Sequence, residues 1–198
     1  MPNERARDRR VQRTHDLLHG ALASLIHEKD YDAIVVKEIL ARANVGRSTF
    51  YTHFRDKDEL LVRAIHDIVR AGDTAPPPRP AQRAEWLLRF SLPVLEHIAR
   101  FTQNGHPSDV HGQSVLHERL RRVLAELIAG DIRRTGLHDR AEDGDGVPSA
   151  LLAEHVASTF VLVLNWWVER GGALSAAAAN DVFRALTLPT LTTTRPSL

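Results

Sequence analysis

The sequence predicts an all-α protein, built as an N-terminal three-helix unit with a larger helical unit behind it. Three observations carry this expectation. Apolar residues recur at the three- and four-residue spacings of helices along most of the 198 residues. No segment has the strict alternation of a half-buried strand. The run VKEILARANVGRSTFYTHF, Val36 to Phe54, reads as two short helices joined by a tight turn, with a further helix starting directly after it. That is how a helix-turn-helix sets side chains into a DNA groove.

Taken in order, Leu18, Leu22, Leu25 and Ile26 place a first helix over about Arg7 to His27, frayed in its first turns, and Lys29-Asp30-Tyr31-Asp32 breaks it. Val36, Ile39, Leu40 and Ala43 form the apolar stripe of a short second helix, with Lys37, Glu38 and Arg42 outward. Asn44-Val45-Gly46 is the turn. Asn tolerates the left-handed backbone that ends a helix, Val45 is an inward anchor, and Gly46 is an acceptable N-cap for a third helix, Arg47 to His53. Asp56 and Glu59 have capping-box spacing, so a fourth helix begins there, and Leu60, Leu61, Ala64, Ile65 and Ile68 carry it to about Ala71.

AGDTAPPPRPA, residues 71–81, holds four prolines and is the clearest break in the chain. The fourth helix is grouped with the larger C-terminal unit, so the domains expected are 1–57, with a basic N-terminal arm, and 58–198. Further helices are expected over Trp86 to Thr102, Ser114 to Thr135, Ala150 to Arg170 and Ala176 to Leu188, with a polar loop at 138–148 and Gly171-Gly172 ending the third of these. The helix over 150–170 is apolar nearly all round and needs cover on several sides. The same helix of a second copy is the expected cover, an isologous homodimer interface using Val156, Phe160, Val163, Leu164 and Trp167, with Phe183 from the last helix.

Composition removes several classes of function. There is no cysteine, which excludes disulfides, thiolate metal sites and thiol chemistry. No apolar stretch approaches the roughly 20 residues that span a bilayer, and MPNERARDRR lacks the apolar core of a signal peptide, so a soluble cytoplasmic protein without a membrane partner is expected. Among eleven histidines, His97, His106, His111 and His117 fall in one region, but none of the four forms an i, i+4 pair, and no metal or other cofactor is expected. There is no Ser-His-Asp signature, phosphate-cradling Gly-rich loop or HExxH, so a helical enzyme is only a remote alternative.

The net charge of +1 makes the position of charge the informative quantity. Residues 1–13 carry Arg5, Arg7, Arg9, Arg10 and Arg13 against Glu4 and Asp8; residues 42–57 carry Arg42, Arg47, Arg55 and Lys57 against Asp56. Each cluster reads either as solvated surface or, flanking a helix-turn-helix, as phosphate-facing.

The segment VVKEILARANVGRSTFYTHFRDKDELL, with Thr-Phe-Tyr-x-His-Phe at Thr49 to Phe54 and Lys-x-Glu-Leu at Lys57 to Leu60, resembles the TetR family of bacterial transcriptional regulators over about residues 13–65. The remainder fits only as an all-helical domain of suitable length. The resemblance implies a C-terminal helical ligand-binding and dimerisation domain, a homodimer on a palindromic double-stranded DNA operator, and repression relieved by a small-molecule effector. Activation, or ligand-independent organisation of DNA, are the alternatives. Val35 and Gly46 stand where the family often has hydroxyl residues, so those contacts are not carried over.

A recognition helix presents donors outward and apolar residues inward. Arg47, Ser48, Thr49 and Thr52 fit the outer role; Val45, Phe50 and Phe54 fit the inner one. Arg47 reads either as a guanine-binding fork or as a phosphate contact. Tyr51 and His53 resemble the family's phosphate-contacting pair, with a core position for Tyr51 as the alternative, and Lys57 is a further expected backbone contact. Lys37 and Arg13 join this DNA-facing set, Arg13 as part of an arm or of a tail. Trp86, Phe90, His97, Phe101, His117, Asn165 and Trp166 are the candidates for an effector pocket, or else ordinary core and interface residues.

Overall fold

The computed structural model describes residues 2–70, 78–102, 114–137, 147–170 and 173–192, without the side chains of residues 2–7, 27, 101–102 and 114–115. Among the described residues the regular elements are all helical: α1 Pro2–Glu28, α2 Val36–Ala43, α3 Arg47–His53, α4 Lys57–Arg70, α5 Arg83–Leu87, α6 Ser91–Thr102, α7 Ser114–Thr135, α8 Ser149–Glu169 and α9 Ala176–Thr192. His106, His111, Gly171-Gly172, most of the 138–148 loop and residues 71–77 of the proline-rich stretch lie outside the described residues.

The N-terminal helices close on one apolar centre. Leu18, Leu22 and Leu25 of α1, Ile39 and Ala43 of α2, Phe50 of α3, Phe54 just after it, and Leu60 and Leu61 of α4 are all buried there. Burying side chains of this size stabilises by about 1.5–3 kcal/mol each. Asn44 ends α2 with φ 51°, and Val45 N–H donates to Leu40 O, so the left-handed residue turns the chain where the sequence places the turn. Gly46 caps α3 at φ −68°, a backbone open to any residue. Asp56 accepts from Glu59 N–H at 2.8 Å, and Glu59 accepts from Arg55 N–H at 2.7 Å, which starts α4 as the capping spacing requires.

The break between α1 and α2 is a short 3₁₀ turn, Tyr31–Ala33, and its geometry is set by a cation. Lys57 Nζ donates to the carbonyls of Tyr31 at 2.8 Å, Asp32 at 3.2 Å and Ile34 at 2.9 Å, and lies 4.5 Å from the Tyr31 ring centroid. All three ammonium protons thus serve carbonyls of the turn, of which Tyr31 O also accepts from Ile34 N–H at 3.1 Å.

Against Phe54 pack His15 and His19, with ring centroids 5.0 and 6.3 Å from it. The Nε2 atoms of both histidines are buried without a hydrogen-bond partner among the described residues.

In the remaining helices the ring of Phe90 packs on Phe160 at 5.2 Å and on Phe183 at 6.0 Å, and Phe160 meets Phe183 at 5.3 Å. α7 and α8 form the most extensive helix pair, and α9 closes on both α6 and α8. Here three expectations are corrected. The single helix over Trp86 to Thr102 is two helices, interrupted at residues 88–90. Pro93 is the reason: its ring excludes the carbonyl four residues earlier, and the buried Ser91 hydroxyl takes Leu88 O at 2.7 Å while lying 2.6 Å from the Asn180 side-chain amide. α9 continues past Leu188 through Pro189, because Leu191 of its last turn is buried. And α8, at 21 residues, is long and apolar enough to cross a membrane by length and composition; its Trp167, buried in this chain, donates to Leu174 O at 2.8 Å.

The dimer-interface assignment is corrected by the same packing. Val156, Phe160, Val163, Leu164, Trp167 and Phe183 are each at most 3% exposed within one chain, so none is free to meet a partner. The apolar side chains that α8 and α9 leave exposed are Leu151, Leu162 and Leu186, at 60, 64 and 53%.

Two measurements check this packing. Lys57→Met should lower unfolding stability in urea by about 1.5–3 kcal/mol, the range for hydrogen bonds to a charged group; unchanged stability would return the ammonium to solvent. Burial holds His15 and His19 below the ordinary 6.5. The folded protein therefore binds fewer protons than the unfolded chain, and the stability is full above pH 6.5 and lost below it. The thermal midpoint should fall from pH 7 to pH 5, and less so in a His15→Gln/His19→Gln variant, where His66 and His117, also held low by burial, supply the residual slope.

Candidate nucleic-acid interface and adjoining cavity

Helix α3 is held from within and open without. Phe50 is fully buried, edge-on to Tyr51 at 5.2 Å and 5.7 Å from Phe54, so the helix cannot roll about its axis without uncovering an aromatic ring. Arg47, Ser48, Thr49, Tyr51 and Thr52 all lie exposed on the other side. Tyr51 is 48% exposed, which removes the core alternative for its ring. The Arg47 guanidinium sits 5.6 Å from the Tyr51 ring centroid, a contact that aligns the fork with the exposed face. Thr52 donates its hydroxyl proton to Ser48 O at 2.9 Å, leaving it as acceptor and methyl surface. His53 is half-buried, its ring 5.0 Å from that of His15 in an edge-to-face contact. Lys37 and Arg13 are exposed on α2 and α1.

The basic cluster over residues 42–57 is mostly committed to the scaffold. Arg42 pairs with Glu28 and donates to Ser24 at 2.7 Å, pinning α2 to α1. Arg55 pairs with Glu59 at 3.1 Å. Lys57 is the clearest correction: with its ammonium enclosed by three carbonyls, it orders the turn before α2 and is not a free phosphate contact. Of the four cations, Arg47 is the one that lies on α3 itself.

Beside these helices lies a cavity of about 550 Å³ bounded by α1, α4, α6, α7 and α8. Its wall is largely apolar: Leu22, Ala23 and Ile26 from α1, Ala64, Ile65 and Ile68 from α4, Val94 and Ile98 from α6. Polar groups enter as Asp16 and His19 of α1, Asp67 of α4, Glu96, His97 and Arg100 of α6 and His117 of α7. His19 Nδ1 stands 4.0 Å from Asp67, and burial keeps both His19 and His117 below the ordinary imidazole value, hence neutral at pH 7. A neutral imidazole offers one donor and one acceptor, so the cavity suits an apolar molecule carrying a few hydrogen-bonding groups. Among the described residues no three His, Asp or Glu side chains converge as a metal site.

Of the seven pocket candidates, His97 and His117 line this cavity. Phe90 belongs to the aromatic core, and the Phe101 side chain lies outside the described residues. Trp86 is elsewhere, with Arg89 at 3.4 Å and Arg134 at 5.6 Å from its ring. Trp166 carries Arg170 at 4.9 Å, and neither it nor Asn165 reaches the cavity. Asp16 and His19 of α1 lie outside the 58–198 unit expected to hold the pocket, and Asp67 of α4 lies inside it but carries no aromatic or histidine signature. The signal was present as the i, i+4 pair His15 and His19 on an otherwise apolar stripe of α1.

Residues 17–64 match the model of bacterial regulatory proteins, tetR family. An uncharacterized HTH-type transcriptional regulator of Bacillus subtilis, YxbF, is 41% identical over 70 residues, 33% of this chain and 18% of that protein. Another from Mycobacterium bovis, Mb0790c, is 35% identical over 65 residues, 33% of this chain and 30% of that protein. The matched stretch thus spans less than a third of either relative. A crystal structure of a putative TetR-family transcriptional regulator from Syntrophomonas wolfei superposes with a TM-score of 0.60 over 94% of this chain and 99% of that one, at 17% identity, a likeness of fold alone. The helix-turn-helix of α2 and α3 thus lies inside the stretch that matches the tetR family of bacterial regulatory proteins, and the helical architecture around it is shared with the Syntrophomonas wolfei protein as a fold.

Proposed function

We propose that the chain is a sequence-specific, DNA-binding transcriptional repressor that acts in the cytoplasm as a homodimer on a palindromic operator and releases it when a small molecule enters the cavity beside α1 and α4. The single observation that carries the DNA reading is the construction of α3. One arginine and a set of hydroxyl and aromatic groups are exposed on a helix whose opposite face is anchored by Phe50. Direct readout needs that combination, because base-edge contacts specify only if the helix presenting them is held in a fixed register. Residues 1–57 are the DNA-binding domain in this reading, and residues 58–198 sense and dimerise.

The cavity supports effector binding by its size and lining, since 300–1,000 Å³ with a mainly apolar wall is the usual range for small-molecule sites. Its position supports regulation: an occupant touches α1 of the DNA-binding domain and α4 and α7 of the sensor at once. A ligand that binds one relative setting of these helices better than another shifts the population of settings, and with it the separation of the two recognition helices. The exposed Leu151, Leu162 and Leu186 support pairing of α8 and α9 with their copies, because apolar side chains of that exposure on adjacent helices are covered in an isologous interface.

Selection of bound duplexes from a random pool at near-physiological salt should recover a palindrome; enrichment of no sequence would sink the reading. Arg47→Ala should relax the selected sequence at one base position per half-site, with a loss of about 1–3 kcal/mol there, whereas an equal loss on every duplex would assign the guanidinium to phosphate. Leu151→Glu/Leu162→Glu should yield a folded monomer by light scattering with lowered operator affinity, and a variant that stays dimeric would move the interface off this face of α8.

A further inference from the structure

We propose that Arg119 is a positioning residue for DNA binding: it latches the sensor helices to the DNA-binding domain through Asp58 and Tyr31, and thereby sets the angle at which α3 is presented. Arg119 lies on α7, and its Nη2 is 2.8 Å from Asp58 Oδ2 on the first turn of α4. The other oxygen, Asp58 Oδ1, accepts from the Tyr31 hydroxyl at 2.6 Å. Tyr31 is 2% exposed, the Arg119 guanidinium is 5.7 Å from its ring, and the carbonyl of the same residue is one of the three on Lys57. Burial and the Asp58 carboxylate push the phenol pKa far up, so the hydroxyl stays a donor across the whole working range of pH. One carboxylate thus ties α7 and α4 to the turn that feeds α2 and α3.

The latch differs in kind from the apolar contacts around it. Burial of apolar surface is non-directional and allows small sliding of α4 on α7, while an ion pair with both carboxylate oxygens engaged fixes one geometry. The helix that bears Arg119 also lines the cavity through Leu116, His117 and Leu120, so displacement of those residues moves the guanidinium with them. Arg119 Nε is itself buried without a hydrogen-bond partner among the described residues, a state tolerated because the terminal nitrogens hold Asp58.

This inference rests on the dimeric DNA-binding reading above. Its test uses the full-length dimer, the palindrome recovered by selection, and the same palindrome with one base pair inserted at its centre. The wild type should discriminate strongly between the two, because half-site spacing must match the fixed recognition helices. Arg119→Met and Asp58→Asn should each reduce that discrimination by about tenfold, the order of one charged hydrogen bond, and the double variant should do no more than either. Affinity for random duplex and its salt slope should stay as in the wild type, since no DNA-facing group is altered. A folded variant of either residue that keeps the wild-type spacing preference, or that loses random-duplex affinity in proportion, overturns the latch. A wild-type protein that selects no palindrome instead sinks the underlying reading before any variant is compared.

Discussion

Two consecutive residues at the start of α4 hold the geometry on which the exposed face of α3 depends. The turn Tyr31–Ala33 and the extended Ile34 after it aim three carbonyls at one point, and the Lys57 ammonium collects them. Asp58 then fixes the Tyr31 side chain, whose ring lies under the same cation. With that turn set, Val35 enters α2 at a defined angle, its N–H donating to Glu38 at 3.0 Å, and Glu38 in turn takes Lys29 at 2.6 Å. Asn44 fixes the next corner and Phe50 the roll of α3. Each step constrains the next, so a local polar cluster about one helix away determines what α3 shows to solvent.

Several charges tie the fold together. Arg42 with Glu28, Lys29 with Glu38, Arg55 with Glu59 and Arg119 with Asp58 are ties between neighbouring turns or helices. Exposed ion pairs of this sort are individually weak, and their value lies in geometry: each fixes an angle that apolar packing leaves loose. The exposed face of α3 itself carries one cation, Arg47, beside Ser48, Thr49, Tyr51 and Thr52.

The cavity arises from how α4 is shared. Leu60 is buried with the N-terminal helices, while Ala64, Ile65 and Ile68 face the space that α1, α6, α7 and α8 enclose. The interruption between α5 and α6 contributes as well, since Pro93 at its edge lines the cavity and redirects α6 across α1. The space is therefore bordered by α1 and by the Arg119-bearing α7 at once.

Most of the fold was legible from periodicity. The spans of α2, α3 and α7, the turn at Asn44 and the capping of α4 by Asp56 are consequences of near-neighbour sequence, because hydrogen bonds and apolar stripes within one helix involve residues at most four apart. The outward side of α3 was legible for the same reason. Pro93 is equally readable as a helix breaker, and the interruption of the span from Trp86 is a local consequence of it. What the residues alone did not determine was partnership. Trp167 and Phe160 belong on the inside of one chain rather than between two, Lys57 turns to carbonyls about 25 positions away, and the cavity recruits α1 as well as the sensor helices. Those outcomes depend on which surfaces meet when helices pack, and a side chain's burial and hydrogen-bond partners are properties of that meeting, which spacing along the chain does not encode.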